Sequence, residues 1–184
     1  MKEEKKINYS CFIILHHTIE AIMQKHCFLL LIIFLYSCSS TNVSVKNNLQ
    51  PNGKKIGIGT IKITAQKSKH NTDTVCICTA QSTEKAFIPY LQQAGFSVID
   101  LPINDRTNNR EIMRVADSAK VDYILTGVGI VQQQGKSTFM EQLTIQLQDM
   151  HTGEIVTSAS FSGVATRPVK AAGKIGGQLI KKIK

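Results

Sequence analysis

Thiols, imidazoles and carboxylates are the side chains that could carry covalent or metal chemistry in this sequence. The cysteines are Cys11, Cys27, Cys38, Cys76 and Cys78. In "TVCICTA" Cys76 and Cys78 stand two apart. Read as an extended chain, both point the same way with Cα atoms about 6.5–7 Å apart, at the outer limit of disulfide reach. A redox pair more often has two intervening residues, and a structural zinc site needs two further ligands, which His70 alone does not supply. The pair therefore reads as structural, either two thiols or a strained disulfide, and no metal site is expected. Among the histidines, His70 falls in a polar loop and His151 in a turn, so no nucleophile, base and orienting residue can be assembled. Asp122 and Asp149 read as strand-end and turn acceptors. A non-enzymatic protein without a dissociable cofactor is expected.

Cys38 invites a different chemistry. The apolar run from Cys27 to Tyr36 is half the roughly 20 residues that a helix needs to span a bilayer. It follows Lys25 and His26 and precedes Ser37, Ser39 and Ser40, the layout of a secretory signal. Leu35-Tyr36-Ser37-Cys38 resembles a bacterial lipobox. That resemblance implies a diacylglycerol on the Cys38 sulfur and an N-acyl chain on its amine, with Cys38 the first residue of the mature protein. Residues 1–22 lie ahead of a cleaner start at Met23, so translation is expected to begin there. Residues 1–22 would then be a non-native extension and 23–37 the signal peptide.

The formal net charge of the whole chain is +9. The presequence removes Lys2, Lys5, Lys6 and Lys25 against Glu3, Glu4 and Glu20, so the mature chain stays strongly basic. That sign suits an anionic membrane surface or a cell-wall polymer. Nucleic acid is excluded as a partner, because an exported lipoprotein does not meet the genome and the basic residues are scattered. The one tight group, Lys181, Lys182 and Lys184, closes a helix where cations complement its dipole.

The elements that must position any site follow from periodicity. Residues 38–53 are polar and read as a flexible tether. Lys54 to Thr64 is a first strand, in which Gly57 and Gly59 give only a G-x-G with no helix behind it to hold a phosphate. Ser82 caps a helix ending at Gly95, with Phe87, Leu91 and Ala94 on one face and Pro89 inside it. Phe96 to Leu101 is a second strand. Asn108 caps a second helix, with Glu111 reaching back and Ile112, Val115, Ala116 and Ala119 facing the core. Val121 to Gln132 is a central strand. Two half-covered strands follow, with Phe139, Leu143, Ile145 and Leu147 and then Ile155, Ala159 and Phe161 pointing inward. The last helix carries Gly173, Gly176 and Gly177, read as points of close approach to the sheet. Residues 54–184 thus predict an α+β two-layer sandwich in the order β-α-β-α-β-β-β-α, with a mixed sheet and its helices on one face.

"GFSVIDL", "ADSAKVDYILTGVGIV" and "LTIQLQDMHTGEIV" resemble the amino-terminal domain of TolB and its relatives, the CsgG-type and LpoB-type lipoproteins. The matching positions are Val121-Asp122-Tyr123, Thr126-Gly127 and Thr152-Gly153-Glu154. The resemblance covers roughly Lys54 to Lys184 and implies a periplasm-facing envelope protein. No amphipathic hairpins of the CsgG type are inserted between the helices, so no pore is expected.

The resulting expectation is a lipid-anchored, non-enzymatic envelope module that binds another envelope protein or itself. Ser39 and Ser40 lack the Asp that retains some lipoproteins at the inner membrane, which favours the outer membrane, facing periplasm or surface. The candidate partner face is Gln142, Thr144, Gln146, Gln148, Ser158, Ser160 and Ser162, because uncharged amides and hydroxyls are desolvated more cheaply than Lys or Glu. Two alternatives are a carrier gripping a lipid or glycan in a groove, and an LpoB-like regulator of cell-wall synthesis.

Overall fold

The computed structural model describes residues 39–46, 49, 51–66, 72–104 and 107–183. The proposed start at Met23, the signal, Cys38 and His70 lie outside them. Among these residues six strands and three helices follow in chain order: β1 (Ser40–Val45), β2 (Lys55–Gln66), α1 (Thr72–Gln93), β3 (Ser97–Asp100), α2 (Asn109–Ser118), β4 (Tyr123–Gln134), β5 (Ser137–Asp149), β6 (Ile155–Thr166) and α3 (Pro168–Ile183). No helix among the described residues is long and apolar enough to cross a membrane.

The strands form one mixed sheet in the order β1-β6-β5-β4-β2-β3, with β2 parallel to β3 and β4 and the other pairs antiparallel. The α+β class and the mixed sheet are as expected from the sequence. In β2 the apolar residues change phase, from Ile56 and Ile58 to Ile61 and Ile63. A register shift between Ile58 and Ile61 absorbs that change, so all four join one core. The irregularity leaves polar groups to satisfy. Ile61 N–H donates to Glu84 Oε1 of α1 at 2.8 Å, and Thr60 Oγ1 donates to the Asn104 carbonyl at 3.2 Å.

Phe87, Leu91 and Ala94 of α1 and Ala171, Ala172, Ile175 and Leu179 of α3 cover the same sheet face as Ile56, Leu125, Leu143, Ile145 and Phe161. The second helix departs from the expectation of helices on one face. Connections β2-α1-β3 and β3-α2-β4 run in opposite directions along the sheet, and right-handed crossovers in opposite directions put their helices on opposite faces. Accordingly Ile112 and Ala116 of α2 pack with Ile124, Leu101 and Val121 in a separate cluster. Asn108 caps α2 by accepting from Glu111 N–H at 2.9 Å. The Glu111 carboxylate pairs with Arg114 instead of reaching back.

Four local readings change. The segment read as tether contains β1, whose alternating Val43 and Val45 face the core; Val43 is 5% exposed. Helix α1 begins at Thr72, ten residues before Ser82, so Ser82 is an interior residue whose hydroxyl donates to the Thr79 carbonyl at 3.0 Å. Register shifts in β5 and at the β5–β6 turn bring Met140 and Val156 into the core, while Phe139 is half-buried and Ile155 exposed. The glycines of α3 meet a helix, not the sheet: a Cβ at Gly176 or Gly173 would meet Tyr90 of α1, and one at Gly177 would meet nothing within 4 Å.

Candidate functional site

Strand pairing places directly opposed residues on the same face of a sheet. On the face away from α1 and α3 the register gives three rows. Ser44, Ser158, Gln146 and Thr126 form one; Asn42, Ser160, Thr144, Val128 and Lys62 the next; Ser40, Ser162, Gln142, Ile130 and Thr64 the third. Six of the seven residues predicted from sequence therefore come together. The seventh, Gln148, sits beside them opposite Ile124, and its amide donates to the Gly153 carbonyl at 2.9 Å, which ties it to the β5–β6 turn.

In these three rows β1, β6 and β5 contribute hydroxyls and amides and no charge; the first cation in the rows is Lys62 of β2. Sequence reading missed the contribution of Ser40, Asn42 and Ser44. It also missed Val128 of β4, which is 59% exposed between Thr144 and Lys62. Helix α2 bounds the far side: Asn109, Ile112 and Met113 face Thr126, Val128, Thr144 and Gln146 across a groove of about 460 Å³.

The two cysteines do not share a side. On a helix, residues two apart are rotated by about 200°, so the thiols of Cys76 and Cys78 diverge and no disulfide joins them. Cys78 is exposed and Cys76 half-buried. Among the described residues no three His, Cys, Asp or Glu side chains are grouped to hold a metal.

Asp122 and Asp149 act as the acceptors that their positions suggest. Asp122 receives Lys54 Nζ and Lys55 N–H, each at 2.8 Å, joining the start of β2 to the start of β4. Burial by itself would raise the Asp122 carboxyl; the hydrogen bonds from Lys54 and Lys55 and the Lys54 charge outweigh it and hold the pKa below its ordinary value. Asp149 accepts from His151 N–H at 2.8 Å and Thr152 N–H at 3.0 Å, which shapes the turn. His151 Nε2 lies 3.7 Å from Asp122 Oδ1, and its side chain is 74% exposed, so the pair borders water.

No family model matches the chain, and no curated protein matches it. Solved structures do. The PelC dodecamer from Paraburkholderia phytofirmans superposes with a TM-score of 0.52 at 15% identity, over 79% of this chain and 97% of that one. Lipoprotein GNA1162 from Neisseria meningitidis gives 0.41 at 13% identity, over 71% and 97%. The LpoB C-terminal domain from Salmonella enterica gives 0.34 at 16% identity, over 62% and 84%. The likeness to PelC is one of fold. These comparisons do not single out TolB or CsgG among the relatives that the sequence resemblance names.

Proposed function

We propose that the chain is a non-catalytic assembly module of the bacterial cell envelope, anchored by lipid on Cys38 and associating with copies of itself through the open sheet face. The observation that carries this reading is the uncharged polar surface across β1, β6 and β5 in a chain whose net charge is +9. Most exposed sheet faces of soluble proteins carry Lys and Glu, whose burial against a partner is costly. Serine, threonine, asparagine and glutamine each offer both donors and acceptors, so one such face can satisfy another like it. Exposed Val128 of β4 adds an apolar side chain at the margin of this surface. The fold of PelC, a dodecamer, supports the capacity of this architecture to assemble. The lipid rests on the lipobox resemblance, the outer-membrane location on Ser39 and Ser40 following Cys38, and the periplasmic orientation on the resemblance to TolB and its relatives.

The test is the mass in solution of the full chain in mild detergent, wild type beside the Gln146→Lys/Ser160→Lys variant. Both positions are on the surface, so the variant should keep the far-ultraviolet circular dichroism of the wild type. An oligomer in the wild type and a monomer in the variant are expected. A monomeric wild type, or an unchanged oligomer in the variant, rejects the face.

A further inference from the structure

A second concave surface lies elsewhere on the molecule, where α1, the β4–β5 hairpin and the start of α3 meet. It is a groove of about 1080 Å³. Four cations line it: Lys136 from the hairpin, Arg167 and Lys170 at the start of α3, and Lys174 one turn on. Hydroxyls of Ser82, Tyr90, Ser137 and Thr138 complete its polar wall, and no carboxylate is among the lining residues.

The chain places these charges against its own stability. The amino end of a helix is its positive pole, where acidic residues are favoured; α3 has none in its first turn, and Arg167 and Lys170 flank it instead. Lys170 and Lys174 are also four apart on one helix, a spacing at which like charges repel. Just before them Ala165 adopts φ 53, a left-handed backbone that a side chain normally avoids. An anion seated in the groove would relieve the repulsion and use the helix pole.

Two observations narrow the anion. The groove is not wholly polar: Pro168, Tyr90 and Val169 line it, and Val169 is 53% exposed, an apolar lip that inorganic phosphate does not need. Lys174 also lies with its Nζ 5.5 Å from the centre of the Phe161 ring and donates to Ser39 Oγ. Ser39 is joined directly to Cys38. A groove wall is therefore held one residue from the position expected to carry the acyl chains.

We infer that this groove seats the phosphate of an anionic phospholipid in the membrane that holds the anchor, with Lys136, Arg167, Lys170 and Lys174 around the phosphate and Val169 against the glycerol and first methylenes. The inference rests on the reading of Cys38 as the anchor only for the groove's position at the bilayer. The groove would orient the domain and, with the acyl chains, supply the second signal that stable membrane attachment requires.

The experiment uses the full chain carrying Cys38→Ala, so that acylation does not contribute, and measures partition onto phosphatidylcholine vesicles with and without phosphatidylglycerol. Binding to neutral vesicles reports the apolar presequence; the excess on anionic vesicles reports the cations. Arg167→Gln/Lys170→Gln should lower that excess about 30-fold, the effect of two cations at a charged surface. Arg110→Gln/Lys120→Gln, on α2 and the turn after it, should leave the excess nearly unchanged. Equal loss in both pairs means diffuse charge and overturns the groove, as does the absence of any excess. Abolition of the excess by inorganic phosphate matched to the lipid phosphate means a soluble-phosphate site and overturns the membrane ligand. Intact mass of the wild-type protein from membranes tests acylation separately, so an unmodified Cys38 would reject the anchor without deciding the groove.

Discussion

Tyr90 of α1 packs against Gly176 of α3, so close that a Cβ at position 176 would come within 2.5 Å of the Tyr90 Cγ and 2.9 Å of its Cβ. The glycine sets how near the two helices approach on the packed face of the sheet. Gly176→Ala gains helix propensity worth about 1 kcal/mol, but forcing the ring away costs roughly 1–3 kcal/mol, so a net loss of stability is expected. Gly177→Ala takes the same gain with nothing within 4 Å of the new methyl and should stabilise by roughly 0.5–1 kcal/mol. Urea midpoints of the two variants should move in opposite directions. A shift of the same sign in both would mean that the contact with Tyr90 does not set the helix spacing.

Two helix ends use the same device with different residues. After α1, Phe96 N–H donates to the Leu91 carbonyl and Gly95 N–H to the Gln92 carbonyl; after α2, Val121 N–H donates to Ala116 and Lys120 N–H to Asp117. Both are Schellman ends, which put one residue in the left-handed region. Gly95 takes it at φ 101 without strain, whereas Lys120 takes it at φ 51 with a side chain. Lys120→Gly should therefore stabilise by about 1 kcal/mol, and Gly95→Ala should destabilise by a similar amount. Thermal unfolding of both variants checks the pair, and no gain from Lys120→Gly would show that the left-handed turn is unstrained.

What the sequence made legible is what depends on near neighbours. The stripe of α2, the alternation of Leu143, Ile145 and Leu147, and the Asn108 cap are all read within a few residues and all recur in the structure. The amino-terminal half of α1 was hidden because Thr74, Val75, Cys76 and Ile77 have the β-branched composition of a strand; packing of the helix against the sheet overrides that local preference. β1 was hidden because a single edge strand of small polar residues has only Val43 and Val45 to mark it. The side of the sheet that α2 occupies leaves no trace in its periodicity, yet it follows from the hand of the crossovers once strand order is known. The basic groove had no local signal at all, since its cations come from a hairpin and a helix separated in the chain by two strands, β5 and β6.

Glu84 should be a structural residue, despite being a carboxylate on a helix beside a strand. Its Oε1 accepts the Ile61 N–H at the point where the β2 register slips and the backbone has no regular partner. Glu84→Ala leaves that donor without its acceptor and should cost about 1–3 kcal/mol, while Glu84→Gln keeps a carbonyl oxygen in place and should cost less. Amide hydrogen exchange at Ile61 is the direct readout. It should quicken in the alanine variant; unchanged protection there would mean that another group satisfies the bulge.

Asp122 links stability to pH with a defined sign. Burial pushes its carboxyl up, but the hydrogen bond from Lys54, that from the Lys55 N–H and the Lys54 charge together leave it below its ordinary 3.8. A carboxylate depressed on folding contributes stability that is fully present above its unfolded value, about 3.9, and is lost as pH falls through the folded pKa. Asp149 is depressed as well; burial again opposes, and the N–H groups of Thr152 and His151 prevail, so it acts in the same direction. The wild type should therefore weaken on acidification below about pH 4, and Asp122→Asn should be less stable than wild type near neutrality yet lose less on the way down. The asparagine retains an acceptor for the Lys55 N–H, so the change isolates the charge. Urea midpoints measured at intervals from pH 7 downward give both curves, and they should converge once Asp122 is protonated. Curves that stay parallel across that range would separate the Lys54–Asp122 pair from the acid sensitivity and leave the Asp149 turn as its source.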